Sequence, residues 1–346
     1  MPMTDQLIDQ VRQAAAARTP LCIVGGGSKT FYGRACAGET LNVSGHRGIV
    51  TYEPTELVIT ARAGTPLAEI EAALAANNQM LPFEPPHFSP QATLGGMVAS
   101  GLSGPRRPWG GSVRDAVLGV KLLNGRGEVL RLGGQVMKNV AGYDVSRLMV
   151  GALGTLGVLL EVSLKVLPRP ACERTLVFES NQTPDMATSS RSAMPISASL
   201  EVDGLRYLRL SGGTRCIEMS AAKLGGNDAD PAIWTGVREQ TLPFFSGHAP
   251  LWRISLPAAV GDLDIRGPSL IEWGGALHWL RTDLPTHFLR RRVTSLGGHA
   301  TLFRGHHGAD SVFQPLPPAM LDLHRRINLA LDPHGLFNPG RMYEGL

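Results

Sequence analysis

The sequence predicts an α+β protein with a smaller second domain. Three observations point there. The chain has 346 residues, above the ~250–300 at which one core stops growing, so two domains or one domain with a cap are expected. Its first half is dense in glycine and alternates short strands with turns and a few helices. After Pro170 the texture changes to strands separated by polar stretches.

In chain order, residues 1–20 hold one amphipathic helix with Leu7, Val11 and Ala14 on its inner face. Leu21 to Val24 reads as a buried strand feeding Gly25-Gly26-Gly27. Leu41 to Val43, Ile49 to Tyr52 and Leu57 to Ala63 read as strands, the last by its alternation. Thr65-Pro66 opens a helix with Leu67, Ile70 and Leu74 on one face, proline being suited to a first turn. Thr93 to Ser100 is a glycine-rich turn entering a short helix. Ala116 to Leu123 and Glu128 to Leu132 form a hairpin through Asn124-Gly125. Leu156 to Leu167 is a long β-rich run, stopped by Pro168 and Pro170.

Beyond it, Val177-Phe178, Ala198 to Val202, Arg206 to Leu210, Ile217 to Ser220, Leu251 to Leu256 and Gly275 to Leu280 read as strands. Ser180 to Ser197 reads as a loop or a poorly patterned helix. Pro317 to Leu331 is a helix with Met320, Leu323, Ile327 and Leu331 on one face, ended by Asp332-Pro333.

Composition narrows the function classes. Hydrophobic residues make 43% and charged residues 18%, which excludes whole-chain disorder. Glycine supplies 41 of 346 residues, well above the usual ~7%, so tight turns or close backbone approach to a ligand are expected. The net charge is +4, from 33 Lys+Arg against 29 Asp+Glu. The basic clusters, Pro105-Arg106-Arg107-Pro108 and Arg290-Arg291-Arg292, read as solvated surface rather than a nucleic-acid face, and leave room for an acidic partner or acidic lipid headgroups. The apolar stretch Leu148 to Leu160 contains three glycines and is shorter than the ~20 residues a bilayer span needs. A cytosolic chain is expected, with room for peripheral membrane association through a partner. Cysteines 22, 36, 172 and 216 form no C-x-x-C, so reduced structural thiols are expected rather than a zinc or iron–sulfur site.

Three loops carry the chemistry. Gly25-Gly26-Gly27-Ser28-Lys29-Thr30 follows a strand, and such glycines let backbone N–H groups approach a pyrophosphate. It is not a Walker A loop, because Ser28 separates Gly27 from Lys29, nor a Rossmann fingerprint, because Thr30 stands where the last glycine belongs. Gln91 to Gly101 supplies the small residues Ala92, Gly95, Gly96 and Ala99 and the hydroxyls of Thr93 and Ser100. Gly151-Ala152-Leu153-Gly154-Thr155-Leu156-Gly157-Val158 then enters a strand. Each alone fits a close-packed turn. Together, in this order, they suit a surface for a flat ring and a pyrophosphate.

The order G-G-G-S, A-T-L-G-G-M-V-A-S-G, G-x-x-x-D at Gly111–Asp115 and V-G-A-L-G-T-L-G-V-L resembles the PCMH-type FAD-binding domain of the vanillyl-alcohol oxidase / p-cresol methylhydroxylase group. The tail from Leu331 to Met342 resembles the C-terminal return segment of that group's 2-hydroxy-acid dehydrogenases. With Glu272 to Leu280 and Ser103 to Arg107, the chain is similar to the family of small FAD-binding subunits of glycolate oxidases. The resemblance implies an FAD-binding domain of two subdomains at 1–172, a cap at 173–315, and a C-terminal helix and tail at 316–346 returning to the first domain. It implies FAD held non-covalently, since the first loop has no histidine. Gly25, Gly26, Gly27 and Ser28, with Lys29 beside them, would hold the pyrophosphate. Thr93, Gly95, Gly96, Ser100 and Gly101 would line pyrophosphate and flavin, Gly154, Gly157 and Val158 the adenosine side, and Asn338 would return near the ring.

Glycolate oxidation needs a base and a carboxylate clamp beside the flavin. His278, His299, Arg281 and Arg304 are the candidates, with Arg253 a further carboxylate-binding residue. The metal-binding elements of catalytic relatives are not matched: Gly274 to Trp279 and Gly297 to Thr301 lack the acidic residues, so no metal site is expected. The resemblance therefore implies a flavin subunit of a complex oxidising glycolate to glyoxylate. A larger FAD-containing subunit would oxidise the substrate, and an iron–sulfur subunit would take the electrons. The rival readings are a stand-alone flavin reductase of the peptidoglycan-precursor type and a non-redox scaffold subunit.

Overall fold

The amphipathic N-terminal helix forms over Met3–Ala17, with Leu7, Val11 and Ala14 buried as their spacing requires. The structure is a computed structural model and describes residues 2–134, 144–179, 194–258, 260, 263–305 and 312–346. Behind the helix, Leu21–Val24 pairs in parallel with Glu39–Asn42. Leu21 also bridges to Phe337, so the C-terminal tail becomes a neighbour of the first strand.

A five-stranded antiparallel sheet follows. Its order is Ile49–Glu53, Val58–Arg62, Val158–Lys165, Val117–Leu123 and Val129–Gly133. The central strand Val158–Lys165 is buried on both faces, because helices and loops cover each side. The helix Leu67–Ala75 buries Leu67, Ile70 and Leu74, and the short helix Leu94–Ser100 buries Met97 and Val98 in the same core.

The second half folds around an eight-stranded antiparallel sheet. Across it run Asn227–Asp228, Cys172–Glu179, Leu205–Gly212, Ile196–Val202, Ser269–Glu272, Leu277–Arg281, Leu251–Ser255 and His299–Arg304. One face packs on the first domain: Tyr32, Leu102 and Leu153 share a core with Leu200, Leu251, Trp273, Trp279 and Phe303.

A charge network joins the two halves. The Arg106 Nε lies 3.2 Å from Glu84, and Arg209 from the large sheet reaches the same carboxylate at 2.9 Å. Arg106 also pairs with Glu173 of the sheet. Both guanidiniums are buried, at 7% and 5% exposure, so the carboxylates are their counter-charges inside the interface.

Three expectations change. Ile217 to Ser220 is not a strand but lies within the helix Thr214–Leu224, which buries Ile217 and Ala221. An apolar run this short fits either period, and the i, i+4 pair decides it once packed. The helix Pro318–Leu331 forms, but Met320 and Leu323 stand 44% and 39% exposed and none of its residues is fully buried. The cysteines are not all thiols: Cys22 and Cys36 form a disulfide, with Cα atoms 6.0 Å apart, while Cys172 and Cys216 are free. The turn after the glycine loop brings the pair within bonding distance, which spacing could not show. Most of the Ser180 to Ser197 stretch lies outside the described residues.

Candidate functional site

The glycine loop, the short helix after Thr93, Leu153 and the returning tail enclose a cavity of about 390 Å³. Of the expected cofactor residues, Gly25, Gly26, Gly27, Ser28, Lys29, Thr93, Gly96, Ser100 and Asn338 line it. The loop sits this close to the helix because Gly25 and Gly26 have no side chains. A Cβ on Gly25 would stand 2.6 Å from Thr93 Oγ1, and one on Gly26 would stand 1.5 Å from the Gln91 carbonyl oxygen. Gly27 is left-handed at φ +69°.

Among the described residues, no backbone N–H from Gly25 to Lys29 donates to a protein acceptor. Successive unpaired donors on a loop lining a cavity form an anion-binding nest. Lys29 adds a cation beside it. Its ammonium donates to the His87 carbonyl at 3.3 Å and lies 5.5 Å from the Phe88 ring centre. Burial pulls it down to about 8, against the opposing charge of Glu239. Thr93 Oγ1 accepts from the Gly96 N–H, and Ser100 donates back to Met97 O, so Ser100 presents its oxygen as an acceptor.

Asn338 acts as a stitch. Its Oδ1 accepts from the Ile23 N–H at 2.8 Å and its Nδ2 donates to Leu153 O at 2.6 Å. Arg341 also lines the cavity and donates to the Thr30 and Tyr32 carbonyls. The sequence reading missed Arg341, although it stands in the tail motif three residues beyond Asn338. It also missed the Cys22–Cys36 bridge in the cavity wall.

Gly95, Gly101, Gly154, Gly157 and Val158 do not line this cavity. Their places follow from packing. A Cβ on Gly95 would meet Ala63 at 2.8 Å, one on Gly101 the Gly151 nitrogen at 3.0 Å, one on Gly154 the Asn338 amide at 2.6 Å, and one on Gly157 the Leu123 carbonyl at 2.9 Å. Val158 is fully buried beneath the N-terminal helix.

The catalytic candidates have separate partners, although Arg281 and Arg304 flank Leu251 on neighbouring strands and their charges oppose each other. Arg281 donates to the carbonyls of Phe244, Ala249 and Phe245, fixing the 243–249 turn. His278 contacts the Gly275 carbonyl at 3.0 Å and alternates with Trp279 across the strand, so it faces away from the Trp279 side. His299 begins the edge strand and is exposed. Arg304 stacks 4.5 Å from the Phe31 ring centre and 5.3 Å from that of Phe88, with no acceptor at its Nε among the described residues. Neighbouring His306 and His307 lie outside the described residues. Among the described residues no group of three His, Cys, Asp or Glu side chains is placed to hold a metal.

Arg253 occupies the interface in their stead. Its guanidinium lies 5.2 Å from the Trp273 ring centre and 6.0 Å from that of Trp279, and Arg107 covers Trp273 at 4.4 Å. Among the described residues Arg253 has no ion-pair partner. The neighbouring carboxyl, Glu272, is 4% exposed and accepts from Trp279 Nε1 at 2.7 Å. Burial raises it to about 7, against that hydrogen bond and the charge of Arg253. An unfolded carboxyl titrates near 4.5, so between about 4.5 and 7 the native chain holds a proton that the unfolded chain releases. Its stabilising contribution is thus full below pH 4.5 and is lost as pH rises to 7. The shift from 4.5 to about 7 corresponds to ~3 kcal/mol at ~1.4 kcal/mol per unit. Urea unfolding across that window is expected to show the decline in the native chain. In Glu272→Gln the decline should be smaller by this amount, and equal slopes would refute the assignment.

Comparison with known proteins gives the family. A family described as FAD binding domain matches residues 3–133. The chain is 50% identical to glycolate oxidase subunit GlcE of Escherichia coli (strain K12), over 98% of this chain and 97% of that protein. It is 25% identical to a D-lactate dehydrogenase of Archaeoglobus fulgidus, over 94% of this chain and 86% of that one. Glycolate oxidase subunit GlcD of Bacillus subtilis (strain 168) is 32% identical over 37% of this chain and 27% of its own length. Among solved structures, alkyldihydroxyacetonephosphate synthase superposes with a TM-score of 0.66 at 14% identity, over 97% of this chain and 74% of that one, a likeness of fold.

Proposed function

The chain belongs to the family of the glycolate oxidase subunit GlcE, and on that premise we propose that it is the FAD-binding subunit of a complex oxidising glycolate to glyoxylate. The observation that carries the reading is the row of unpaired N–H groups from Gly25 to Lys29 along the cavity. A pyrophosphate suits those donors together with the Lys29 ammonium. Gly27, Ser28 and Lys29 would hold it, Thr93 and Gly96 would line it, and Asn338 and Arg341 would close the wall. FAD, when bound, supplies a two-electron acceptor.

The division into 1–172, 173–315 and 316–346 belongs to the same reading. It is supported by the two separate sheets and by the tail's pairing with Leu21. In this reading the cofactor is held without a covalent bond; among the described residues no histidine lines the cavity. Arg253 is the carboxylate-facing residue of the cap, its charge lacking an ion-pair partner in the described interface. The larger glycolate oxidase subunit carries out substrate oxidation, and electrons leave through an iron–sulfur subunit. This chain cannot itself bind a cluster through four thiolates, since two of its four cysteines are bonded to each other. No helix among the described residues is long and apolar enough to cross a membrane. Placement in the cytoplasm, with the complex resting on the inner membrane, accords with that.

The test is the visible spectrum of the purified chain before and after acid precipitation. Yellow protein that releases its flavin to the supernatant is the expected result. Anaerobic glycolate should leave the isolated chain's flavin oxidised and bleach it when the larger subunit is added. A colourless chain that takes up no FAD would overturn the reading.

Lys29 makes it quantitative. The free ammonium titrates at about 8, and a pyrophosphate beside it favours the charged form. Above pH 8, binding must therefore recruit a proton. FAD affinity is expected to be level below pH 8 and to fall by up to about tenfold per pH unit above it. Fluorescence titrations of the flavin-free chain should show this slope. Lys29→Met should bind more weakly below pH 8 and lose the slope; a retained slope would refute the role.

A further inference from the structure

A second groove, with a lining distinct from that of the cofactor cavity, takes in part of the basic run Arg290-Arg291-Arg292. Its volume is about 870 Å³, and it runs between the helix Thr286–Ser295, residues 314–317 and the tail at 343–344. Arg34, His287, Arg290 and Arg291 line it, against a single carboxylate among the described residues, Glu344. Arg290 is fixed, donating to the Val312 carbonyl at 3.1 Å and lying 5.7 Å from the Trp252 ring centre. The side chains of Arg34 and Arg291 make no ion pair or hydrogen bond among the described residues. Arg292 points elsewhere, to the Leu263 carbonyl and Asp264. The segment Pro315-Leu316-Pro317 adds apolar surface and, through its prolines, lacks two backbone donors.

We propose that this groove docks an acidic, extended segment of the larger subunit, an inference that rests on the subunit reading above. Three observations single out that occupant. Among the described residues the lining is cationic with one opposing acid, so a chain rich in carboxylates is complementary to it. The apolar surface of Pro315, Leu316 and Pro317 beside the cations suits the mixed side chains of a peptide segment rather than one small anion. The groove also adjoins the candidate cofactor cavity: the Arg34 N–H donates to the Arg341 carbonyl at 2.9 Å, and Arg341 lines that cavity. A partner seated there stands next to the loop that holds FAD, where an electron-exchanging subunit must come.

The experiment compares assembly of the full chain with the larger subunit, by sedimentation at low and high salt, for wild type, Arg34→Glu/Arg291→Glu and the control Arg292→Glu. The wild type should assemble, more weakly as salt rises. The double variant should bind on the order of tenfold or more weakly at low salt, with the gap closing at high salt. The control should match wild type, and flavin content should be equal in all three, since none of these residues lines the cofactor cavity. Equal assembly by the double variant would overturn the proposal. So would normal assembly with lost binding to phosphatidylglycerol vesicles, which would give the groove to a lipid surface. Failure of the wild type to assemble would instead remove the subunit reading, and the occupant with it.

Discussion

Gly26→Ala is expected to yield protein with less than about a tenth of the wild-type flavin. The added Cβ would fall 1.5 Å from the Gln91 carbonyl oxygen and 2.4 Å from its carbon. The obstacle is backbone, so no rotamer change relieves it. The loop from Gly25 to Lys29 must lift away from Gln91 to Thr93, which pulls apart two walls of the cavity. The ratio of flavin to protein absorbance measures the loss, with far-ultraviolet dichroism as the check on folding. Gly27→Ala is the graded comparison. Its Cβ meets nothing within 4 Å, but the residue is left-handed, at φ +69°. It should fold, cost ~1–2 kcal/mol of strain and bind FAD more weakly than wild type but better than Gly26→Ala. Wild-type flavin content in Gly26→Ala would show that the close contact does not shape the site.

Glu84→Ala should lower the unfolding free energy by ~3–5 kcal/mol, because it strips two buried guanidiniums of a shared counter-charge. Arg106 and Arg209 both reach this carboxylate, one from each half of the molecule. Glu173 remains, but its side chain is 40% exposed and faces water. Glu84→Gln keeps an acceptor and should fall between the two. Urea unfolding followed by tryptophan fluorescence reads the effect, since Trp234, Trp273 and Trp279 all lie in the shared core. A change under ~1 kcal/mol would mean that water replaces the lost carboxylate.

Much of the first half was legible because local rules and tertiary packing agree there. Leu67, Ile70 and Leu74 are spaced for a helix face and are all fully buried. The glycine loop follows its strand, and the short helix begins at Thr93, as the turn chemistry indicated. The second half was less legible. Thr214–Leu224 is too short for its period to declare itself, and the helix Thr286–Ser295 buries only Leu289 and Val293. The pairings that matter most leave no local trace. Glu84 and Arg209 are 125 residues apart, and no periodicity links them. The glycines were recognisable as a set, yet which face a cavity and which admit a neighbouring strand depends on contacts such as Gly157 with Leu123. Arg281 had the chemistry of a carboxylate clamp and serves a turn; Arg253, two strand positions beyond Leu251, keeps a charge without an ion-pair partner at the interface.

The stitch between Ile23 and Asn338 also bears on biosynthesis. The two residues are 315 apart, and the tail supplies a wall of the nucleotide cavity. While the ribosome is still elongating the chain, the glycine loop emerges early but has no lid. Cofactor capture must therefore await translation of the residues around Asn338. A nascent chain stalled before that point would present the loop's bare amide groups to solvent, with nothing yet to retain a nucleotide.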